Sequence, residues 1–434
     1  MYKIFFILIT IILQPISLLA TELLVAGFAL SGEFSTNNES YKYTSKLISK
    51  NSLKFNKVIR EKIKKSDYGH TFIFDYEDDV EKTAIAFTLA RENLNISKTK
   101  EGLHRAKIRS LGQIMIFNNR DQIIDAIYSF PITFTKIFQK EPSDSEIENL
   151  FNEFYFGEDN FQIKEVDDNG STKCNEQITF VNYFDYMLNQ IPCIDIKDTY
   201  SQRIKVKKID LSKKVKDLLD EKGMSYKSFK QEVGLTVTSM LSTELKMPIL
   251  PYIDEGQDIY QIKTRFSDSS EKNFKIPDSD FDINIEIKGF NKKMTDSDDI
   301  EEQWIYAFQN SFKFFEPLSE TVYFEDVLIG YKYKKFPKSY VDSKNDLPIY
   351  LEVMNYFYRD LALSFDAINN TEKVKNKVSF RKKNDDNSFI NNNSGFNWSN
   401  SSVLKDWYKT RSKLKYSEIK DMLIDTKKKI DQCR

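Results

Sequence analysis

Stretches in which apolar and polar side chains alternate are interleaved along this chain with stretches in which apolar residues recur every three or four positions. Strands and helices are therefore both expected. The run Glu22 to Leu30, ended by Ser31-Gly32, reads as a buried strand. From Tyr43 to about Lys65, Leu47, Ile48, Leu53, Phe55, Val58, Ile59 and Ile63 stand among lysines at helical spacing, and Asp67-Tyr68-Gly69 turns the chain. Four strand-like runs follow as a meander: Thr71–Tyr76, Lys82–Ala90, Arg105–Phe117 and Gln122–Phe130. In the second, Ile85, Phe87 and Leu89 alternate with Ala84, Ala86, Thr88 and Ala90, giving one bulky face and one small-residue face, both suited to being covered. Asn118–Asp121 predicts a hairpin connection, Gly112 a bulge, and Pro131 the end of the fourth strand.

Ser145–Phe156 and Ile178–Leu188 then read as helices and Arg203–Leu211 as a strand. The second half opens with Ser212–Gly223 and a stronger helix from Ser225. Its apolar positions Tyr226, Phe229, Val233, Val237, Met240, Leu241 and Leu245 are stopped by Pro248. Strands are expected at Ile259–Phe266, Phe281–Ile287 and Thr321–Tyr333, and helices at Asp298–Phe312 and Asp346–Ile368. In Phe281–Ile287 the strict alternation with Asp282, Asn284 and Glu286 assigns one face to a core and the other to water or a partner. Each half thus runs helix, strands in series, helix. Phe72–Tyr76 echoes Pro248–Tyr252, so a degenerate duplication stands beside two unrelated domains as a reading. The expected fold class is α+β, two domains of mainly antiparallel sheet packed with helices, spanning 21–205 and 206–370. A flexible Asn-rich linker over 371–403 and an amphipathic helix over 404–434 follow, with Tyr416, Ile419, Leu423 and Ile430 on one side.

The beginning of the chain changes the picture. Met1–Ala20 carries Lys3 and then an apolar run broken only by Gln14, Pro15 and Ser17, the layout of a secretory signal peptide cleaved after Ala20. A soluble protein exported to the periplasm or the extracellular space is expected, with no integral membrane span after cleavage. In such a compartment Cys174 and Cys193 can pair across a short loop, Cys433 can take the place of either, and three free thiols are the alternative. The 64 Lys and Arg balance 65 Asp and Glu, so charge-driven nucleic-acid binding is not expected.

Candidate chemistry is sparse. His70 and His104 are the only histidines, which excludes a His-rich metal site. Gly27–Phe34 has the glycine spacing of a phosphate loop but carries Glu33 where its lysine must stand, and no Gly-x-Ser-x-Gly elbow is present. Asp278, Asp280 and Asp282 alternate as in a calcium loop, without the glycine or the twelfth-position acid. Asp296, Asp298, Asp299, Glu301 and Glu302 suit a helix start. No metal, cofactor or catalytic residue is assigned. The run around Tyr331, Lys332, Tyr333 and Lys335 interleaves bases and aromatics as a contact surface would, or as an edge strand protected by lysines would. The sequence points to a non-catalytic binding or assembly module of the cell envelope with an envelope protein or glycan as partner. The alternative is a secreted hydrolase working through dispersed carboxylates on polysaccharide.

Overall fold

The computed structural model describes residues 22–32, 40–75, 80–99, 102–157, 182–197, 200–253, 261–338, 346–368 and 401–434. The expected leader and Cys174 lie outside them, as does the expected linker up to residue 400. The fold is α+β, as the pattern predicts. Strand β1 (Glu22–Ser31) is followed by helices α1 (Lys42–Lys50) and α2 (Ser52–Lys65), short β2 (Thr71–Ile73), and the meander β3 (Thr83–Lys98), β4 (His104–Asn118) and β5 (Ile123–Phe138). Helices α3 (Asp144–Phe156) and α4 (Tyr183–Leu188) close this half. The second half begins with β6 (Ile204–Leu211), α5 (Lys213–Glu221) and α6 (Tyr226–Leu245). The hairpin β7 (Gln261–Phe266) and β8 (Glu271–Lys275) precedes a second long meander, β9 (Phe281–Ser297), β10 (Glu301–Glu316) and β11 (Thr321–Pro337). Helices α7 (Leu347–Ala367), α8 (Ser401–Arg411) and α9 (Tyr416–Cys433) finish the chain.

The strands form a seven-stranded sheet, β2-β1-β3-β4-β5-β8-β7, and a four-stranded sheet, β11-β10-β9-β6. Both use one wiring. β1 runs parallel to β3 and β6 parallel to β9, each across a pair of helices. The irregularities repeat as well. Extra residues bulge from the first meander at Ala90 and Asp125 and from the second at Lys288 and Tyr323, each pair 198 residues apart. The hairpin residues Gln122 and Glu320, at the same spacing, both adopt positive φ, 54° and 55°. Ala26 in β1 and Lys207 in β6 bulge opposite equivalent points of β3 and β9. Bulges are retained features rather than accidents of a sheet, so the chain is a tandem of two copies of one topology. The echo in the sequence is part of it: Ile73 lies parallel beside Leu24, and Leu250 beside Lys205, one residue out of the register that the sequence suggests.

β1 shows how the bulge serves packing. Leu23 and Val25 precede Ala26, Phe28 and Leu30 follow it, and all four join the core under α1–α4 because the extra residue resets the alternation. On β3, Ile85, Phe87 and Leu89 face that core, while Ala84 and Ala86 face a second one with Phe117, Phe266 and Phe274. That second core is enclosed because β7 also pairs with β1, at Ala29–Ser31, and returns the ladder to its start. The four-stranded sheet packs one face against α5–α9, through Phe281, Ile283, Ile285, Phe308, Phe312, Phe357 and Trp407 among others.

Several expectations are corrected. Asp298–Phe312 is strand, not helix: Tyr306, Phe308, Asn310, Phe312 and Phe314 are buried at every second position. The acids there belong to a hairpin tip, where Asp298 Oδ1 accepts the Ile300 and Glu301 N–H groups at 2.8 Å. Pro131 does not end β5, which runs on to Phe138. Ser129, two residues earlier, has its N–H and C=O bonded by Ser242 Oγ and Thr243 Oγ1 of α6 on the strand's outer side, so a proline of the same parity removes no ladder bond. Gly112 is not itself the bulge. It faces Leu89 beside bulged Ala90, and a Cβ there would meet Met187 Sδ at 2.6 Å. The helix expected over Tyr43–Lys65 breaks at Asn51, and the C-terminal helix is two, parted at Ser412–Lys415.

Candidate functional site

Strand alternation divides the run singled out on β11. Lys332 and Lys334 point to α7, where Glu352 Oε1 lies 3.7 Å and 2.5 Å from their ammonium groups. Lys332 Nζ also sits 3.2 Å above the Tyr356 ring. Tyr331, Tyr333 and Lys335 take the other side of the strand. Their partners are separate: Lys335 pairs with Glu301 at 2.7 Å, Arg411 covers the Tyr331 ring at 4.7 Å, and the Tyr333 ring lies edge-on to Tyr331 at 6.3 Å. The four residues do not form one surface, and Tyr333 alone is a largely exposed aromatic, at 53%.

Lys332 and Lys334 belong instead to a charged seam shared with the first meander. In β4, Ala106 and Ile108 are buried at alternate positions, so Arg105, Lys107 and Arg109 share the opposite face. That face comes within electrostatic reach of α7 and β11. Burial would raise the Glu352 carboxyl, but the Lys334 ammonium, with Lys332 and Arg109, overrides it and holds it below the usual range. Burial, then the neighbouring Arg109 guanidinium, pushes the Lys107 ammonium down, with Arg105 and Lys334 adding to it and Glu352 opposing. Lys332 is lowered by burial, and Arg359 adds to it against the pull of Glu352 and Asp360. None of Arg105, Lys107 and Arg109 makes an ion pair with a described residue. Six cations, Arg105, Lys107, Arg109, Lys332, Lys334 and Arg359, thus share the seam with Glu352, Asp360 and, beside Arg359, Glu244. Two like charges a few ångströms apart cost free energy unless an opposite charge joins them, so the arrangement is suited to holding an anion.

One sign of this seam lies in the sequence: Arg105, Lys107 and Arg109 alternate with apolar or small residues in a predicted strand. That Glu352 would collect them was not legible, because it is brought there by the tertiary fold. The other candidates are dispersed. His70 stands just before β2 with its imidazole held low by burial, against the pull of Asp195. Asp280 accepts the Arg203 N–H at 2.8 Å and Asp282 the Ser279 hydroxyl, so these acids fasten the start of β9. Among the described residues no group of three or more His, Cys, Asp or Glu could hold a metal ion, and no helix is long and apolar enough to cross a membrane. Cys193 is held in a disulfide, and Cys433 is a free, buried thiol pushed up to about 12 by its burial.

No family model and no curated protein matches the sequence. Among solved structures, the chain is similar to one described as a neuraminyllactose-binding hemagglutinin homolog from Helicobacter pylori. The likeness has 15% identity, covers 37% of this chain and 80% of that one, and has a TM-score of 0.21.

Proposed function

We propose that the protein is an exported, non-catalytic binding module of the cell envelope that holds an anionic partner, an envelope protein or glycan, against the seam of Lys107, Arg109, Lys332 and Lys334. One observation carries the reading: cations from both halves of the chain converge on the single carboxylate of Glu352. The leader-like Met1–Ala20 and the disulfide at Cys193 support an oxidising compartment outside the cytoplasm. With Cys433 free, Cys174 is the partner we assign to Cys193. A polysaccharide hydrolase needs two carboxyls across a cleft; the seam presents the opposite charge.

The test is capture from envelope extract by the chain Thr21–Arg434, eluted with increasing salt. Binding through the seam predicts elution at moderate salt, since exposed charges are screened within about 10 Å at 0.1 M. It also predicts loss of capture in Lys107→Glu and Lys332→Glu and retention in Lys335→Glu, whose side chain lies on the other face. Equal capture by all three variants refutes the assignment.

A further inference from the structure

β1 changes neighbours along one edge. Glu22–Leu24 pair with β2 and Ala29–Ser31 with β7, so between them Val25–Phe28 have β3 on one side and, among the described residues, no strand on the other. A cleft of about 320 Å³ opens at this gap, floored by Val25–Gly27 and walled by Asn56 and Arg60 of α2, Phe74, and residues of the β7–β8 hairpin. Its size falls in the range of small-molecule sites.

The cleft's polar groups are set in place. Gly27 has φ +98°, and a Cβ there would collide with the Asn56 carboxamide, so the glycine lets that side chain lie flat on the strand. Asn56 Oδ1 accepts the Phe28 N–H at 2.9 Å and the Ser267 hydroxyl at 3.0 Å. Asn56 Nδ2 donates to no described residue, so the N–H groups of its amide are what this lining residue has left to offer. Arg60, one turn along the same helix face, lies 5.1 Å over the Phe74 ring, and its ion-pair partner Asp75 is 86% exposed. Lys272 enters from β8. The one acid in the lining, Asp268, has Oδ1 occupied by the Ser270 N–H and hydroxyl. The Asn56 amide and the Arg60 guanidinium thus stand beside a space flanked by Phe74 and Phe266.

We propose that this cleft binds a small organic carboxylate, its charge between the Asn56 amide and Arg60 and its apolar body against Phe74. The site is separate from the basic seam. Saturation-transfer NMR on the chain Thr21–Arg434 with benzoate, and with its neutral isostere benzamide, tests it. Benzoate should bind, with benzamide weaker by about tenfold or more, since hydrogen bonds to a charged group exceed neutral ones by roughly that factor. Asn56→Asp keeps the acceptor for Phe28 and Ser267 but reverses the donor, and it should abolish the benzoate signal while melting near the parent temperature. Arg60→Gln should weaken it, and Lys107→Glu should leave it intact. No benzoate signal, equal signals from the two probes, or loss in Lys107→Glu without loss in Asn56→Asp would overturn the proposal.

Discussion

Across its outer edge β1 meets two strands, β2 and β7, whereas its counterpart β6, among the described residues, meets only Leu250. The reason lies in the residues on the back of each sheet. Where the first meander places Ala84, Ala86, Thr88, Met115 and Ile127, the second places Asp282, Asn284, Glu286, Lys313 and Glu325, each 198 positions on. The first set is buried and demands a covering, which the β7–β8 hairpin helps to provide with Phe266 and Phe274. Of the second, Asp282 is buried, but Asn284, Glu286, Lys313 and Glu325 keep access to water, and Lys313 pairs with Glu325 at 3.4 Å. One wiring therefore yields a closed ring or an open sheet according to about five side chains on one face.

The sharpest way to break that comparison is to exchange residues between the faces. Met115→Lys, copying Lys313, buries an unpaired charge at a position 1% exposed and should cost at least about 3 kcal/mol in urea unfolding. The reciprocal Lys313→Met should move stability by no more than about 0.5 kcal/mol. Next come the places where a helix sits directly on each sheet. Gly112→Val would collide with Met187 and Tyr183 of α4, and Gly330→Val with Phe308 and with Phe357 of α7. Each should lose about 2–3 kcal/mol, and neither should be spared if the two sheets are packed alike.

A smaller effect separates the halves by pH. Burial would raise the Asp366 carboxyl, but its bonds to Arg434, with Lys427, hold it low; Lys427 itself is 5% exposed. A depressed carboxyl stabilises the fold above the ordinary carboxylate range, and that contribution disappears as pH falls through the depressed value. Asp366→Asn should cost about 1 kcal/mol at neutral pH, because the carboxylate is partly solvated and Lys427 keeps Asp431, and it should make the acid limb of the stability curve shallower. If α9 unfolds with the second sheet, its amide exchange should accelerate in parallel. Least in magnitude is the seam's own titration. Lys107 is pushed down by burial and by Arg109, so it loses its proton at lower pH than an ordinary lysine, and a bound anion opposes that loss. Affinity should fall as pH rises toward the alkaline side, less steeply in Lys107→Arg.

Strands were legible where alternation was clean, as in Lys82–Ala90 and Phe281–Ile287; β3 runs on because the bulge at Ala90 shifts the alternation before Leu94 and Ile96 resume it, and β9 because its far half is exposed and carries no apolar period. The misread β10 has Trp304, Phe308 and Phe315 at spacings that a helix also satisfies, and an acidic run before it that imitates a helix start. α6 was read from its apolar stripe, but its Thr236, Thr238, Ser239 and Ser242 are buried as well, with Ser242 reaching β5. A helix enclosed on more than one side gives only a weak amphipathic signal. The sequence shows of the seam only the alternation of Arg105, Lys107 and Arg109 and of the cleft nothing, since each joins residues that only pairing and helix docking bring together. The basic-aromatic run was a contiguous feature that the pleat took apart.

The strand that completes the first ring is made late. β1 and β5 precede their closing hairpin, Gln261–Lys275, by more than a hundred residues of chain, with α5 and α6 in between. A chain emerging from its N-terminus thus carries an unpaired β1 edge until the second half has been delivered, and such edges recruit other strands. Fragments ending before residue 261 should gather into oligomers rather than fold as a smaller version of the protein. The same delay keeps the N-terminal half unlocked, and so threadable, for most of its synthesis.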